Sequence, residues 1–375
     1  MITIVEVSNR SLLKKFVRFP VYLYAKDPYY VPKLFIDEYH TLREDINPAF
    51  DHCDAKYWLA YKDDRIVGRI AAIINKSYIE KWKRPYGRFG YVDFIDDGSV
   101  AQALFQTAES WLLANGMSHI HGPLGFCDLD PEGMLVEGFG QISTFTTTYN
   151  HPYYPEFMKN LGYVKDVDWL EYELTVPKEV PPTVKKLAQW AMKKYRLYIP
   201  DINRKKDLIP YIPAIFDLIN RSYDHLYAVT ELSKKQIEYF TKQYIALFSV
   251  DFVKLILNEN DDLVAFGLAL PSLSKAMQKN RGRLFPIGFL SILGALRKND
   301  RAELLLIGVD PAYQGKGVNA ILLNQIVLDN PMKIQKADLN PQLENNTPVQ
   351  SQWKNYTVKQ NRRRRCYIKK LRREE

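Results

Sequence analysis

The sequence predicts an α/β protein (α+β in some schemes) made of two similar halves, each a mixed twisted sheet flanked by helices. A hairpin pattern of alternating apolar residues around an aspartate pair occurs at 57–74 and again at 252–270. In each half a third strand then leads into a helix and a further strand. A proline-rich stretch at 176–183 separates the halves. Matched elements in matched order predict a tandem duplication.

The remaining elements are predicted from local patterns. The apolar start of the chain favours a first strand over a secretion signal because it lacks a basic region. The third strands, the helices and the strands after them are predicted at 89–95 and 304–309, 100–114 and 317–328, and 118–121 and 334–339. Thr183 is expected to cap a helix at 184–195. The predicted domains are therefore residues 1–176 and 197–375, joined by a linker and connecting helix at 177–196.

Composition limits the class of protein. With 375 residues and 46% hydrophobic content, the chain is large enough to bury two cores. Its three cysteines are odd in number and lack metal-ligand spacing, which favours free thiols in a reducing compartment and no metal site. The longest apolar stretch, 284–296, is shorter than the ~20 residues that cross a bilayer. We therefore expect a cytoplasmic protein without a membrane span.

The most informative segment is 307–320, which runs from an apolar strand through a proline-bearing turn into a glycine-rich helix start. Free backbone N–H groups and the helix dipole favour bound phosphate at such a start. The glycines are not spaced as a Walker loop or a Rossmann fingerprint requires. The alternative is a plain strand–turn–helix connection. Because Pro311, Gln314, Gly315 and Gly317 agree after a strand, the segment predicts a diphosphate cradle.

This segment resembles the acyl-CoA-binding motif of the GNAT superfamily of N-acyltransferases, whose pattern is Gln/Arg-x-x-Gly-x-Gly/Ala. Gln314 and Gly317 match the pattern, and Asn319 stands at its last place. The resemblance implies two tandem GNAT-like folds that take acetyl-CoA or another acyl-CoA as donor. It also implies that the strand end, the turn, the helix start and a later helix bind the cofactor through Ile307, Gly308, Val309, Gln314, Gly315, Lys316, Gly317, Val318, Asn319, Ala320 and Asn346.

Glu303 and Tyr356 are the candidate catalytic residues. Some GNAT members place a general-base Glu eleven residues before the Gln of the motif, and Glu303 has this spacing from Gln314. A buried carboxylate would suit a base, and the alternative is a solvated strand end. GNAT families often use a Tyr to protonate the CoA sulfur. When the motif is aligned from Asn346 without a gap, the position of this Tyr is occupied by Trp353, whose indole cannot act as an acid at neutral pH. Tyr356 is the nearest phenol, and its alternative role is that of a core aromatic.

The first half differs at the position of the cradle. Asp96 and Asp97 stand where the second half has 311–317, and two carboxylates would repel a diphosphate. We expect the first half to lack a cofactor site and to serve as scaffold or substrate wall. Its loop at 122–154 offers acids that could face a cationic amine, with solvated turn acids as the alternative reading; these are Asp128, Asp130 and Glu132.

Neither a metal site nor a simple function for the insertion at 271–300 follows from the sequence. His119 and His121 share a strand face but have no third ligand nearby in the sequence, which disfavours zinc. The insertion is basic at first and apolar afterwards. It is expected to pack as an amphipathic helix on the second core, with a lid over the acyl chain or acceptor as an additional hypothesis.

Charge is unevenly distributed. Residues 1–180 carry 19 basic and 25 acidic residues, whereas residues 181–375 carry 33 and 18. The basic run at 361–373 matches an acidic stretch at 166–173, so we expect these strands or their neighbours to lie across the interface between the halves. An acidic acyl carrier protein and RNA are the alternative partners for the run. No stacking platform supports nucleic acid.

Together these features predict an N-acyltransferase that moves an acetyl or longer acyl group to a primary amine on a small molecule or peptide. Two alternatives stay open. The first is a degenerate GNAT-like protein that binds or senses CoA without turnover, which Asn319 and Trp353 favour. The second is aminoacyl transfer from tRNA, in which the basic patch would dock the tRNA and the cradle would be vestigial.

Overall fold

The computed structural model describes residues 1–330 and 332–372, so Arg373, the end of the predicted basic run, lies outside the described residues. The strands are β1 Ile2–Glu6, β2 Cys53–Lys62, β3 Arg65–Asn75, β4 Tyr86–Phe94, β5 His119–Gly122, β6 Met134–Glu137, β7 Val164–Thr175, β8 Val253–Leu257, β9 Leu263–Pro271, β10 Arg301–Val309, β11 Lys336–Leu339, β12 Gln342–Leu343 and β13 Thr357–Lys370. The helices are α1 Arg10–Leu23, α2 Phe35–Thr41, α3 Lys76–Trp82, α4 Gly98–Ala114, α5 Tyr154–Asn160, α6 Pro182–Lys194, α7 Lys205–Leu208, α8 Ile212–Tyr223, α9 Lys234–Tyr244, α10 Ser274–Asn280, α11 Gly288–Arg297, α12 Val318–Leu328 and α13 Thr347–Ser351.

These elements form two units. The first comprises Met1–Trp169, Ser274–Ser291 and the C-terminal residues from Arg362, and the second comprises Leu170–Leu273 and Ile292–Asn361. Each unit is therefore built from more than one segment of the chain, whereas the predicted domains, 1–176 and 197–375, are each continuous. The mixed α/β architecture agrees with the predicted fold class. Among the described helices, none combines the length and the apolar character that crossing a bilayer requires.

The sheet of the first unit is mixed, in the order β1–β2–β3–β4–β5–β13. Its hairpin turns at Asp63 and Asp64, both of which have positive φ, a conformation that Asp tolerates better than most residues. The strands β4 and β5 pair in parallel, whereas β13 adds to β5 in antiparallel register. Helix α4 buries its apolar face on this sheet, where Leu104 and Phe105 are inaccessible to solvent.

The basic run forms most of β13, and its arginines form hydrogen bonds and ion pairs with residues of the first unit. Arg362 and Arg364 are fully buried and donate to main-chain carbonyls at 2.7 and 2.6 Å. Arg363 donates to Asp168 at 3.2 Å, and Arg365 donates to both oxygens of the same carboxylate at 2.7 and 2.9 Å. The acidic and basic strands thus form ion pairs, but these pairs lie within the first unit and not across an interface between two units, as the sequence led us to expect. These bonds engage the four arginines at 362–365, whereas Lys370 and Arg372 of the same run are exposed.

In the second unit β10 is central, with antiparallel β9 on one side and parallel β11 on the other. Its hairpin, β8 and β9, matches that of the first unit. Helix α6 packs on α12 and buries Val184, Ala188 and Ala191, so the segment predicted as a linker helix belongs to the core of this unit. The helix begins at Pro182 without a side-chain cap, and the predicted cap at Thr183 is wrong.

Much of the insertion at 271–300 packs on the first unit. The side-chain amide of Gln278 in α10 donates to the carbonyls of Pro28 and Tyr30 at 2.8 and 2.9 Å. The backbone N–H of Phe35 donates to the carbonyl of Gly282 at 3.0 Å. The expectation that this segment packs on the second core is therefore wrong for residues 274–291. Sequence periodicity shows an apolar helical face but not which core will cover it.

Candidate functional site

An opening between two parallel strands marks the candidate site in the second unit. Strands β10 and β11 pair only from Arg301 to Leu304, against Lys336 to Leu339. The register of β10 against β9 then shifts between Leu304 and Leu306, as a β-bulge does, and β10 continues to Val309. Beyond Leu304, β10 therefore has no partner in β11. A ligand can approach its main-chain groups there.

Ile307 presents its backbone at this opening. The hydroxyl of Tyr223, at the end of α8, donates to the carbonyl of Ile307 at 2.9 Å and accepts from its N–H at 3.3 Å. Because one hydroxyl reaches both groups, they face away from β9. Gly308, the next residue, lies over the ring of Phe266, where an added Cβ would come within 2.4 Å. The strand end thus combines a peptide group that is bonded by a side-chain hydroxyl, and not by a neighbouring strand, with a tightly packed glycine.

The segment after β10 is a turn followed by an uncapped helix start, the local geometry that was predicted for a diphosphate cradle. Asp310 caps the turn by accepting from the N–H of Ala312 at 2.8 Å, and its carboxylate also pairs with Arg221. Gly315 and Gly317 have φ values of +72° and +79°, which glycine adopts without strain. Gly317 is the N-cap of α12 and provides no side chain to its first-turn N–H groups. The helix therefore begins with uncapped donors and the positive end of its dipole.

The other residues predicted to bind the cofactor lie in this turn or in the first turn of α12. Gln314 folds back, and its side-chain amide donates to the carbonyl of Val309 at 3.1 Å. The ammonium of Lys316 lies 5.4 Å from the ring centres of Tyr195 and Tyr313, next to the helix start. The side chains of Val318 and Ala320 are buried in the core, so only their backbone can serve a ligand. Asn319 differs, because its side-chain oxygen is buried and unbonded among the described residues.

The corresponding helix of the first unit starts in the opposite way. The carboxylate of Asp97, the N-cap of α4, accepts from the N–H and the hydroxyl of Ser99 at 2.9 and 2.6 Å. Lys62 pairs with the same carboxylate at 2.8 Å. These partners, Lys62 first, hold the pKa of Asp97 well below its usual range. A carboxylate already occupies the site that a phosphate would take.

Glu303 lies in the paired part of β10, beside the opening. It is buried and accepts a hydrogen bond from the hydroxyl of Ser272 at 2.8 Å. In the register, Asp338 of β11 stands directly opposite. Arg301 binds both oxygens of Asp338 at 2.6 and 2.7 Å. The arginine thus neutralises one of two adjacent carboxylates. Ser272 and Asp338 were missed by the sequence analysis because they are remote from Glu303 in the chain.

Tyr356 does not share the face of Glu303. An apolar cleft under α12 is lined by Ala302, Leu304 and Tyr356. Because side chains alternate along a strand, Glu303 points to the other face of β10. Burial raises the pKa of Tyr356 to about 12, and its hydroxyl has no partner among the described residues. The structure therefore does not bring the two candidate catalytic residues together.

The remaining residues predicted around the later helix have structural positions. Asn346 caps α13, with its side-chain oxygen accepting from the N–H of Val349 at 3.4 Å. Trp353 is buried in the core of the second unit beside Tyr356, with ring centres 6.2 Å apart. Its indole N–H is buried without a hydrogen-bond acceptor among the described residues. These contacts account for the aromatic pair as packing.

The equivalent strand of the first unit has an arginine where β10 has Glu303. By register, Arg88 and His121 of β4 and β5 take the places of Glu303 and Asp338. Arg88 is buried and donates to the carbonyl of Gly125 at 2.9 Å. Of the loop acids considered for amine binding, Asp130 is a turn residue that accepts from two backbone N–H groups at 2.7 and 3.2 Å. A cation thus replaces the carboxylate in this unit.

A potential metal-ligand cluster lies in the first unit. His121, Asp166 and Cys366 place one ligand atom each within 4.8 Å of one another. No local sequence pattern reveals this cluster, because its members are far apart in the chain. Burial, followed by the charge of nearby Arg88, lowers the pKa of His121. The same positive charge disfavours a divalent cation at this position.

Comparison with known sequences finds relatives that align over most of this chain. No family model matches the sequence. Protein YghO of Escherichia coli (strain K12) is 29% identical over 371 residues, which cover 97% of this chain and 94% of that protein. A bacterial ceramide synthase of Caulobacter vibrioides is 28% identical over 324 residues, which cover 84% and 82%.

A solved structure extends the match over the full length. It is described as a tandem GNAT protein from the clavulanic acid biosynthesis pathway, without acetyl-CoA. The two structures superpose with a TM-score of 0.58 at 11% identity, and each chain is covered completely. At this identity, the similarity concerns the fold alone.

Proposed function

The chain folds as two GNAT units in tandem, and from this premise we propose that it is an N-acyltransferase whose second unit binds acyl-CoA. The observation that carries the proposal is the contrast between two helix starts. Gly317 leaves the first turn of α12 uncapped, whereas the Asp97 carboxylate caps α4. A diphosphate would be attracted by the first and repelled by the second. The protein would therefore hold one cofactor, at residues 314–320.

The open edge of β10 would hold the thioester. The peptide of Ile307 offers an N–H and a carbonyl at the opening, next to the cradle. Tyr223 must move or share these groups when a ligand binds, because its hydroxyl occupies both. We assign Ile307, Gly308 and Val309 to orienting the acyl group. Gln314, Gly315, Lys316, Gly317, Val318 and Asn319, with Ala320, are assigned to the diphosphate.

Glu303 would serve as the general base. It accepts a proton from the incoming ammonium, directly or through water, so that the neutral amine can attack the thioester carbonyl. A carbon–nitrogen bond forms and the carbon–sulfur bond breaks. The nitrogen releases its second proton through water to the departing thiolate, so that CoA leaves as the thiol. Tyr356 is assigned a packing role, because it lies on the other face of β10. Asn346 is likewise assigned to the cap of α13.

The relatives narrow the substrates worth testing. One is named a bacterial ceramide synthase, so we propose a long-chain amine as acceptor and a long acyl group as donor. Acetyl-CoA, short acyl groups and acyl carrier protein are the comparison donors.

A turnover assay tests this proposal. Thiol release from acyl-CoA would be followed with amines of increasing chain length, and acyl-amide formation would be measured by mass spectrometry. Acylation that depends on both partners and is lost in Glu303→Gln supports the assignment. Tight CoA binding without acyl transfer to any amine would instead support a CoA-sensing protein. The hydroxyl of Tyr223 favours that second candidate, because it bonds both backbone groups of Ile307 and so competes with a thioester there.

A further inference from the structure

An exposed apolar tip projects from the first unit between α10 and α11. Phe285, Ile287 and Leu290 expose 73%, 71% and 57% of their surface. Single exposed apolar side chains are ordinary, but three large ones within six residues form a patch. We name residues 281–291 the apolar tip.

Positive charge surrounds this tip. Residues 272–299 contain six basic residues and no acidic residue. Lys275, Lys279, Arg281 and Arg283 precede the apolar residues, and all four are exposed. Within the described part of the chain, none of these four forms an ion pair. Apolar side chains next to unpaired cations are typical of segments that lie in a membrane interface.

The base of the tip is held firmly by the first unit. Gln278 is anchored to the carbonyls of Pro28 and Tyr30, as described above. The side chain of Asn280 donates to the carbonyl of Gly288 at 2.7 Å and so closes the turn that carries Phe285 and Ile287. Met277 of α10, which precedes the apolar tip, is also buried. The apolar side chains therefore project from a braced turn.

We propose that the apolar tip binds the surface of an anionic lipid bilayer. Phe285, Ile287 and Leu290 would enter the boundary between headgroups and acyl chains, while the four cations contact lipid phosphates. Helix α11 has only ten residues, which is too few to cross the bilayer, so the segment would lie in the membrane interface. A second copy of the chain fits poorly, because its tip carries the same charge. A bilayer supplies both kinds of partner at once, because lipid phosphates attract the cations and acyl chains receive the apolar side chains.

Vesicle binding tests this proposal independently of any acyl transfer. The full chain would be sedimented with vesicles of phosphatidylcholine alone and of phosphatidylcholine with 30% phosphatidylglycerol. We expect binding to the mixed vesicles that weakens with salt. The double variant Phe285→Ser/Ile287→Ser should bind about 100-fold more weakly, from the loss of two inserted side chains. The variant Arg281→Ala/Arg283→Ala should lose about 10-fold, mainly on the anionic vesicles.

Matched controls separate the tip from general stickiness. Ile209 is 56% exposed in the second unit, and Ile209→Ser should leave vesicle binding unchanged. Circular dichroism and thermal unfolding would establish that each variant is folded. Absence of wild-type binding to anionic vesicles at low salt would overturn the proposal, as would equal binding by the folded double variant. Self-association or binding to an acidic carrier protein that depends on Phe285 and Ile287, without vesicle binding, would also overturn it.

Discussion

A single charge placed in the cradle should separate diphosphate binding from all other effects. Gly315 has φ +72°, and a Cβ added there meets no atom within 4 Å. Asp and Asn have the same shape and both tolerate this conformation, at a shared cost of about 1 kcal/mol. The pair Gly315→Asp and Gly315→Asn therefore differs mainly by one negative charge beside the start of α12.

The size of the effect follows from the position. Gly315 lies two residues before the cap of α12, so a carboxylate there would stand about 6 Å from a diphosphate bound by the first-turn N–H groups. One charge against about two, at an effective dielectric constant of about 40 to 80, costs about 1.5 to 3 kcal/mol. We expect CoA to bind Gly315→Asp about 10- to 150-fold more weakly than Gly315→Asn.

Isothermal titration calorimetry with CoA would measure both dissociation constants. The ratio should shrink in 0.5 M salt because exposed charges are screened. Asp97→Asn provides the control in the first unit and should leave CoA affinity unchanged. Equal affinities for Gly315→Asp and Gly315→Asn at low salt, with both variants folded, would refute the assignment of the diphosphate to this turn.

Three further predictions concern the base, the open strand edge and the ion pairs of β13. Glu303→Gln should reduce kcat by about 10²- to 10⁴-fold without changing the Kd for CoA; a rate within a factor of two of wild type would exclude Glu303 as the base. Tyr223→Phe removes the hydroxyl that occupies the peptide of Ile307, so acyl-CoA should bind about 3- to 10-fold more tightly in calorimetry; weaker binding would show that the hydroxyl contacts the ligand. Asp168→Asn should destabilise the protein by about 3 kcal/mol in urea unfolding at pH 7, because it leaves Arg363 and Arg365 without their shared carboxylate. Burial alone would raise the pKa of Asp168, but the arginine hydrogen bonds outweigh it and lower the pKa. The stabilisation is therefore complete above pH ~4 and is lost below it, so the gap between Asp168→Asn and wild type should narrow at pH 3.5; a gap that stays constant would contradict the ion-pair explanation.

Local patterns in the sequence were sufficient for much of the fold. Alternation around Asp63 and Asp261 predicts both hairpins, because strand and turn preferences act over a few residues. The cradle follows for the same reason, since the strand, the turn and the glycines are adjacent. The acid cap of α4 was equally visible as Asp97 at a helix start. Each of these features depends on near neighbours in the chain.

Local sequence patterns do not predict features that are built from segments far apart in the chain. Strand β13 pairs with β5 across more than 240 residues, and α10 packs on residues near 30. Nothing in the periodicity of either segment identifies its partner. The positions of Tyr223, Ser272 and Asp338 around β10 are likewise set by tertiary packing. The separation of Glu303 and Tyr356 depends on which face of β10 each one meets, and the chain spacing does not encode this.

A crystal structure of the protein with CoA would show directly where the cofactor binds. We expect one CoA molecule in the second unit, with its diphosphate on the N–H groups that begin α12 and its pantetheine arm along the open edge of β10 at Ile307. We expect no CoA at α4, where Asp97 fills the helix start. A diphosphate bound at α4, or away from residues 314–320, would contradict the proposed cofactor site.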